Sequence, residues 1–155
     1  MAKTSAGVLL YRRAGKSLQV FLVHPGGPFW AKKDDGAWSI PKGEFTEGDD
    51  PVEVAKREFA EETGFPLKGK LEALEPIKQA GGKIVYAWAI EGEVDASAIR
   101  SNTFSMEWPP HSGKTVEFPE VDRASWFHLE TARGKILKSQ TPLLEQLREK
   151  VLEGA

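Results

Sequence analysis

The stretch Gly43–Phe65, GEFTEGDDPVEVAKREFAEETGF, decides how the rest of the chain is read. It is a glycine loop running into an acidic helix. Asp50 is a good N-cap, since its carboxylate can accept from unpaired N–H groups of the first turn. Pro51 suits the first helical position, where a missing N–H costs nothing. Glu53 stands at the third helical position, within reach of the cap. Gly64 can end the helix in a left-handed conformation, and Pro66 blocks its continuation. At about 100° per residue, Val52, Ala55 and Phe59 fall on one stripe that should face a core. Glu58, Glu61 and Glu62 share an adjacent arc.

Carboxylates three and four residues apart crowd one another and destabilise a helix. Arg57 can pair with Glu53 and Glu61, but one arginine cannot neutralise the group. A divalent cation could, and Mg²⁺ takes oxygen ligands from a few carboxylates, water and substrate phosphates. One local reading is therefore a Mg²⁺ or Mn²⁺ site beside a loop. The other is a solvated acidic face, such as most Glu-rich helices carry.

The stretch resembles the Nudix hydrolases, whose pattern is G-x5-E-x7-R-E-U-x-E-E-x-G-U, with U a bulky apolar residue. Gly43, Arg57, Glu58, Phe59, Glu61, Glu62, Gly64 and Phe65 fit it at the required spacing. Asp49 stands where the family has its first Glu, with a shorter arm. The match is long and gapless, and it favours the metal site over the solvated face. The resemblance implies a Nudix α/β/α sandwich with a mixed, curved β-sheet between helices.

Composition agrees with a soluble globular protein. The 155 residues suit a single domain, 1–155, large enough for a hydrophobic core. A net charge of −2 gives no electrostatic case for binding a nucleic-acid duplex. With no cysteine, disulfides and thiolate metal sites are excluded. The N-terminal MAKTSAGVLL lacks the pattern of a signal peptide, and no apolar run approaches the roughly 20 residues of a membrane span. The expectation is a cytoplasmic protein with no membrane partner; the sequence does not fix its oligomeric state.

Around the central stretch, Ser5–Tyr11 and Leu18–His24 read as two largely buried strands joined by a turn. Residues 29–36, FWAKKDDG, read as a polar loop in which Lys32 and Lys33 meet phosphates or pair with Asp34 and Asp35. Ala37–Pro41 reads as a short strand leading into Lys42 and Gly43. Lys70–Pro76 is a weak strand, Lys83–Glu91 a central one rich in β-branched and aromatic residues. Asp95 caps a helical turn. The stretch 101–120, SNTFSMEWPPHSGKTVEFPE, is the least regular and has the character of a binding loop. Ala124–Leu129 is a further strand and Glu130–Leu137 a short helix. Thr141 should cap a last helix with Leu143, Leu144, Leu147 and Val151 as its apolar stripe, packed on the sheet.

The resemblance implies hydrolysis of a nucleoside diphosphate linked to another group, by attack of water on the pyrophosphate bridge. It makes Glu58 the carboxylate nearest that water, as base or metal ligand. It makes Glu61 and Glu62 the main ligands, with the carbonyl of Lys42 as a further one. Arg57 orients its neighbours. Lys42 and Gly43 adjoin the phosphates. A loop acid outside the box often completes such sites, and Glu120 is the first choice over Glu107 and Glu117. Secondary signatures for ADP-ribose, NADH and coenzyme A substrates are absent. Pro41–Lys42–Gly43 is similar to the PKG of some diadenosine polyphosphate hydrolases. The expected small-molecule partner is thus a dinucleoside polyphosphate or a nucleoside triphosphate, with a non-nucleotide diphosphate as a further open class. Trp30, Trp108 and Phe118 either stack on a base or pack internally. The competing reading is a Nudix-fold module that senses a ligand or binds a protein without hydrolysis.

Overall fold

A computed structural model describes residues 3–153 of the chain. Two apolar strands, β1 (Thr4–Ala14) and β2 (Ser17–Pro25), form an antiparallel hairpin in which Ala14 faces Ser17 and Tyr11 faces Val20. Beyond Tyr11 they part. The gap is taken by β3 (Lys42–Phe45), which pairs with the first residues of β1, Gly7 opposite Lys42 and Ala6 opposite Gly43. Just before it, Ser39 bridges to Val23 of β2, and the Pro41 carbonyl accepts from Val8 N–H at 3.0 Å. Gly7 permits this insertion: a Cβ there would lie 2.6 Å from the Pro41 carbonyl oxygen. The other edge of β1 runs parallel to β6 (Ile84–Glu91). Two short strands, β4 (Glu72–Ala73) and β5 (Ile77–Lys78), pair with β6, and β9 (Val121–His128) pairs with β2. One parallel pair among antiparallel ones makes the sheet mixed.

Helices cover both faces. On one, α1 (Pro51–Thr63) sets Val54, Ala55 and Phe59 against Ala6, Val8, Leu10 and Phe21. Phe21 meets Phe59 at 6.0 Å and Trp126 at 5.5 Å between ring centroids. On the other, α2 (Leu129–Lys135) and α3 (Thr141–Arg148) bring Ala132, Leu143, Leu144 and Leu147 onto Leu9, Val20, Leu22 and Val85. This is the α/β/α sandwich. The α1 caps follow the sequence: Asp50 accepts from Val52 N–H at 3.2 Å, and Gly64 is left-handed at φ 81°.

Several expectations shift. Val54, not Val52, is buried on α1, which also buries Glu62. Ala37–Pro41 forms isolated bridges rather than a strand, and the strand proper starts at Lys42. The expected Lys70–Pro76 strand shrinks to the two residues of β4. Thr141 lies inside α3 in a helical conformation, because a 3₁₀ turn over Lys138–Gln140 leads straight into it. Residues 101–120 are not irregular. They form a hairpin separate from the main sheet, β7 (Thr103–Glu107) and β8 (Thr115–Pro119), with Phe104 opposite Phe118 and Met106 opposite Val116.

Candidate active site

The site lies where β1 and β2 part. Gly43 of β3 sits beneath α1, and a Cβ there would fall 2.2 Å from the Glu58 carboxyl carbon. The glycine is therefore what lets the Glu58 side chain fold inward, where it is 17% exposed. One turn later Glu62 is buried, and its Oε2 has no hydrogen-bond partner. Glu61 is half-buried between them.

Glu120 reaches this cluster through the backbone. Its N–H donates to the Asn102 carbonyl at 2.8 Å, and Asn102 N–H donates to the Glu61 carbonyl at 2.8 Å. Its own carbonyl accepts from Gly26 N–H at 2.9 Å. The end of α1, the base of the hairpin and the end of β2 are thus tied at one point. Trp30, Ile40, Lys42, Glu62, Glu120 and Val121 line a pocket of about 220 Å³ there. Glu107 and Glu117 stand on the exposed face of the hairpin. Glu107 accepts from His111 N–H and Glu117 from the Thr103 hydroxyl, each at 2.8 Å.

The electrostatics follow from burial and like charge. Burial, with Glu58 and Glu120 nearby, pushes the Glu62 carboxyl up to about 9, against the opposing pull of Lys42. Burial raises Glu58 as well, with Glu61 and Glu120 adding to it and Arg57 opposing. Lys42 is lowered by burial and then by Lys83, with Glu62 and Glu44 opposing. Arg57 is not where helix spacing puts it. Its Nη2 is 3.8 Å from Glu58 Oε1, while Glu53 pairs with Lys56. Asp49 is turned to local use: its Oδ2 accepts from Thr46 N–H at 3.0 Å and from the Thr46 hydroxyl at 3.2 Å.

Two loop features escaped sequence reasoning. Asp34 and Asp35 pair with Lys135, not with Lys32 or Lys33, and Lys33 lies 5.0 Å from the centre of the Trp30 ring. His24, a strand-end histidine with no distinguishing signal, is buried and spans Asp122 Oδ1 at 2.8 Å and the Lys33 carbonyl at 2.6 Å. A carbonyl only accepts, so His24 Nε2 carries a proton and pins the loop to β9.

Among the described residues no three acidic or histidine side chains are gathered at ligating distance from one point. The donor set nonetheless suits a hard divalent cation. A buried carboxylate oxygen without a donor, beside two further carboxylates, is costly unless a positive charge meets it.

The model of the NUDIX domain family matches residues 1–147. The chain belongs to this family. Its Nudix domain supports reading it as a pyrophosphohydrolase, of a family that generally uses divalent metals. An RNA pyrophosphohydrolase of Bartonella henselae is 26% identical, the match covering 83% of this chain and 78% of that protein. The NUDIX domain of Shewanella oneidensis NrtR, complexed with ADP ribose, superposes with a TM-score of 0.68 at 18% identity, over 97% of this chain and 89% of that one. A C. elegans Ap4A hydrolase in a binary complex gives 0.65 at 23%, over 99% and 100%. At these identities the structural likeness is one of fold. In this Nudix chain a hairpin carries Glu120 to the end of α1, and a turn engages Asp49.

Proposed function

We propose that this Nudix protein is a Mg²⁺-dependent hydrolase of the pyrophosphate bond in a nucleoside diphosphate linked to another group, a dinucleoside polyphosphate or nucleoside triphosphate being the candidate substrate. The observation that carries this is the orphaned Oε2 of buried Glu62, which shares one pocket with Glu120 and Lys42 and feels the charge of nearby Glu58. Glu58, Glu61 and Glu62 would hold the metal, with Mn²⁺ as a substitute. Once bound, it supplies charge neutralisation of the bridge and a lowered pKa for water. Glu58, folded inward over Gly43, would accept the proton of the attacking water. Glu120 adds negative charge on the far side of the pocket and orients the water. Lys42 offers a cation to the phosphates. Arg57 stays outside the pocket and holds Glu58 by its carboxylate.

A second reading has one observation in its favour. The Asp49 carboxylate is engaged by Thr46, so the position of the first box glutamate is occupied with turn formation. A sensing or protein-binding module could tolerate that. The two readings separate in a turnover assay with metal-free protein, then with millimolar Mg²⁺ or Mn²⁺. The panel is a dinucleoside tetraphosphate, nucleoside triphosphates and ADP-ribose. Metal-dependent cleavage of an anhydride is the expected result. Binding of a panel member without turnover under either metal would replace the enzyme reading with the sensing one.

A further inference from the structure

His24 is buried near the end of β2, and the chemistry proposed above makes no use of it. Its Nδ1 lies 2.8 Å from Asp122 Oδ1, and its Nε2 lies 2.6 Å from the Lys33 carbonyl oxygen. A carbonyl oxygen has no proton to give, so Nε2 is a donor. An ionised carboxylate has none either, so Nδ1 is a donor as well. Asp122 is 33% exposed and its Oδ1 also faces Arg123 Nε at 4.0 Å, which makes it the charged acceptor of the pair. A neutral imidazole carries one N–H, and this ring needs two. His24 is therefore an imidazolium, buried with both donors satisfied and an opposite charge beside it, as a buried cation requires. The other charged groups around it are engaged elsewhere. Trp38, whose ring meets His24 at 5.2 Å, has Arg123 at 5.1 Å from its ring centre and donates from Nε1 to Asp34. Asp34 pairs with Lys135, and the Lys33 ammonium lies 5.0 Å from the Trp30 ring centre.

The ring joins two walls of one pocket. Trp30 lines the pocket that holds Glu62 and Glu120, and it stands on the loop whose Lys33 carbonyl His24 grips. Asp122 stands two residues beyond Glu120. The loop is tied at its ends, by Gly26 N–H to the Glu120 carbonyl and by Asp34 to Trp38 and Lys135. His24 holds it between those ties. The Glu120 backbone is fastened separately, by Gly26 and Asn102, so His24 governs the Trp30 wall rather than Glu120 itself. Removal of one proton has a directed effect. The proton that remains stays on the nitrogen facing the stronger acceptor, the Asp122 carboxylate. Nε2 then presents a lone pair to the Lys33 carbonyl, and the bond to the loop is the one lost.

We propose that His24, protonated on both nitrogens, is a positioning residue of this pocket: it fastens the loop bearing Trp30 to the strand that follows Glu120, and loss of its second proton releases that loop. The consequence for substrate binding rests on the hydrolase reading above; the proton count of the ring and the hold on the loop do not.

Nitrogen-15 NMR of the His24 ring counts its protons directly. At pH 6 both nitrogens should be protonated, and with rising pH their signals should change in one step. Hydrogen exchange of the amides in 27–33 should quicken in that same step. Glu62 and the metal bring a pH dependence of their own, so the deciding comparison is with Asp122→Asn. An asparagine N–H can donate to a bare Nδ1, which lets a neutral His24 keep its proton on Nε2 and hold the loop. Asp122→Asn should match the wild-type KM at pH 6 and lose the step in loop exchange. Above the step, the wild-type KM for the best substrate of the panel above should exceed that of Asp122→Asn about tenfold, the weight of one hydrogen bond to a charged group. The two kcat values should stay within threefold. His24→Phe keeps a ring against Trp38 and donates nothing, so its loop should exchange fast and its KM stay high at every pH. Asp122→Asn changes a partly exposed side chain and keeps the test intact if His24→Phe does not fold. A single-proton ring at pH 6, or an exchange step that persists in Asp122→Asn, overturns the proposal. If the wild-type protein cleaves no anhydride, the hydrolase reading falls, and the ring signals and loop exchange still decide the role of His24.

Discussion

Glu62 sits at the centre of the buried arc of α1, where a residue of its charge is least expected. Its carboxyl is pushed up to about 9 by burial, then by Glu58 and Glu120. An unfolded-chain glutamate titrates near 4.3. Between those values the folded state holds a proton that the unfolded state has released. The associated stability is thus fully present below about 4.3 and is lost as pH rises toward 9. Glu58, raised for the same first reason, works in the same direction. Lys42, lowered mainly by burial, opposes only in the alkaline range where it sheds its own proton. The melting temperature of metal-free protein should therefore fall from pH 6 to pH 9, and Glu62→Gln should flatten the slope. A flat wild-type profile would mean that Glu62 is solvated. The neighbouring test is kinetic. Glu58→Gln keeps shape and removes basicity, so turnover should fall about 10²–10⁴-fold, with KM changed far less. Asp49→Asn keeps an acceptor for Thr46 and should cost under tenfold. A crippled Asp49→Asn beside a mild Glu58→Gln would put the family roles on the wrong residues.

The helix and the hairpin differ in how far their sequences announce them. The ends of α1 were legible because Asp50, Pro51 and Gly64 act locally, through caps and fixed dihedrals. The apolar runs of β1 and β2 were legible for a similar reason. The register of α1 was not: charge alone sends Glu62 to solvent, and only the packing of Val54, Ala55 and Phe59 on the sheet turns it inward. The hairpin was obscured by its own tip, WPPHSG, whose turn residues mask the alternation of TFSME and TVEFP. Glu120 was preferred to Glu107 and Glu117 in the sequence, but what brings it to the end of α1 is a relay of backbone hydrogen bonds through Asn102 to the Glu61 carbonyl, which no spacing encodes. That relay has a testable joint. A Cβ on Gly26 would fall 1.9 Å from the Pro119 carbonyl oxygen, and backbone cannot step aside as a flexible side chain would. Gly26→Ala should cost about 1–3 kcal/mol, as overpacking does. It should also lower kcat/KM by shifting Glu120 from the pocket. Unchanged melting and kinetics would show that the hairpin base is not clamped there.

At the scale of the whole molecule, two helical layers and a mixed sheet hold several carboxylates at the one place where the central strands part. Such an arrangement is stable only to the extent that protons, Lys42 or a cation offset the charge. Protons do so at low pH, and a divalent cation should take over as they leave, because a carboxylate must be deprotonated to ligate. Binding to the folded state alone adds RT ln(1 + [L]/Kd), about 2.7 kcal/mol at a hundredfold excess over Kd. For a chain of this size that is a rise of roughly 5–11 °C in melting temperature. The rise should be larger at pH 8 than at pH 6, since at pH 6 the metal competes with the proton on Glu62. Glu62→Gln should abolish most of it at both. Scanning calorimetry with and without millimolar Mg²⁺ or Mn²⁺ at the two pH values measures all of this. Coincident midpoints at both would remove the metal from the site. The buried carboxyl of Glu62 would then be a neutral acid inside a ligand-sensing module rather than a ligand in a hydrolase.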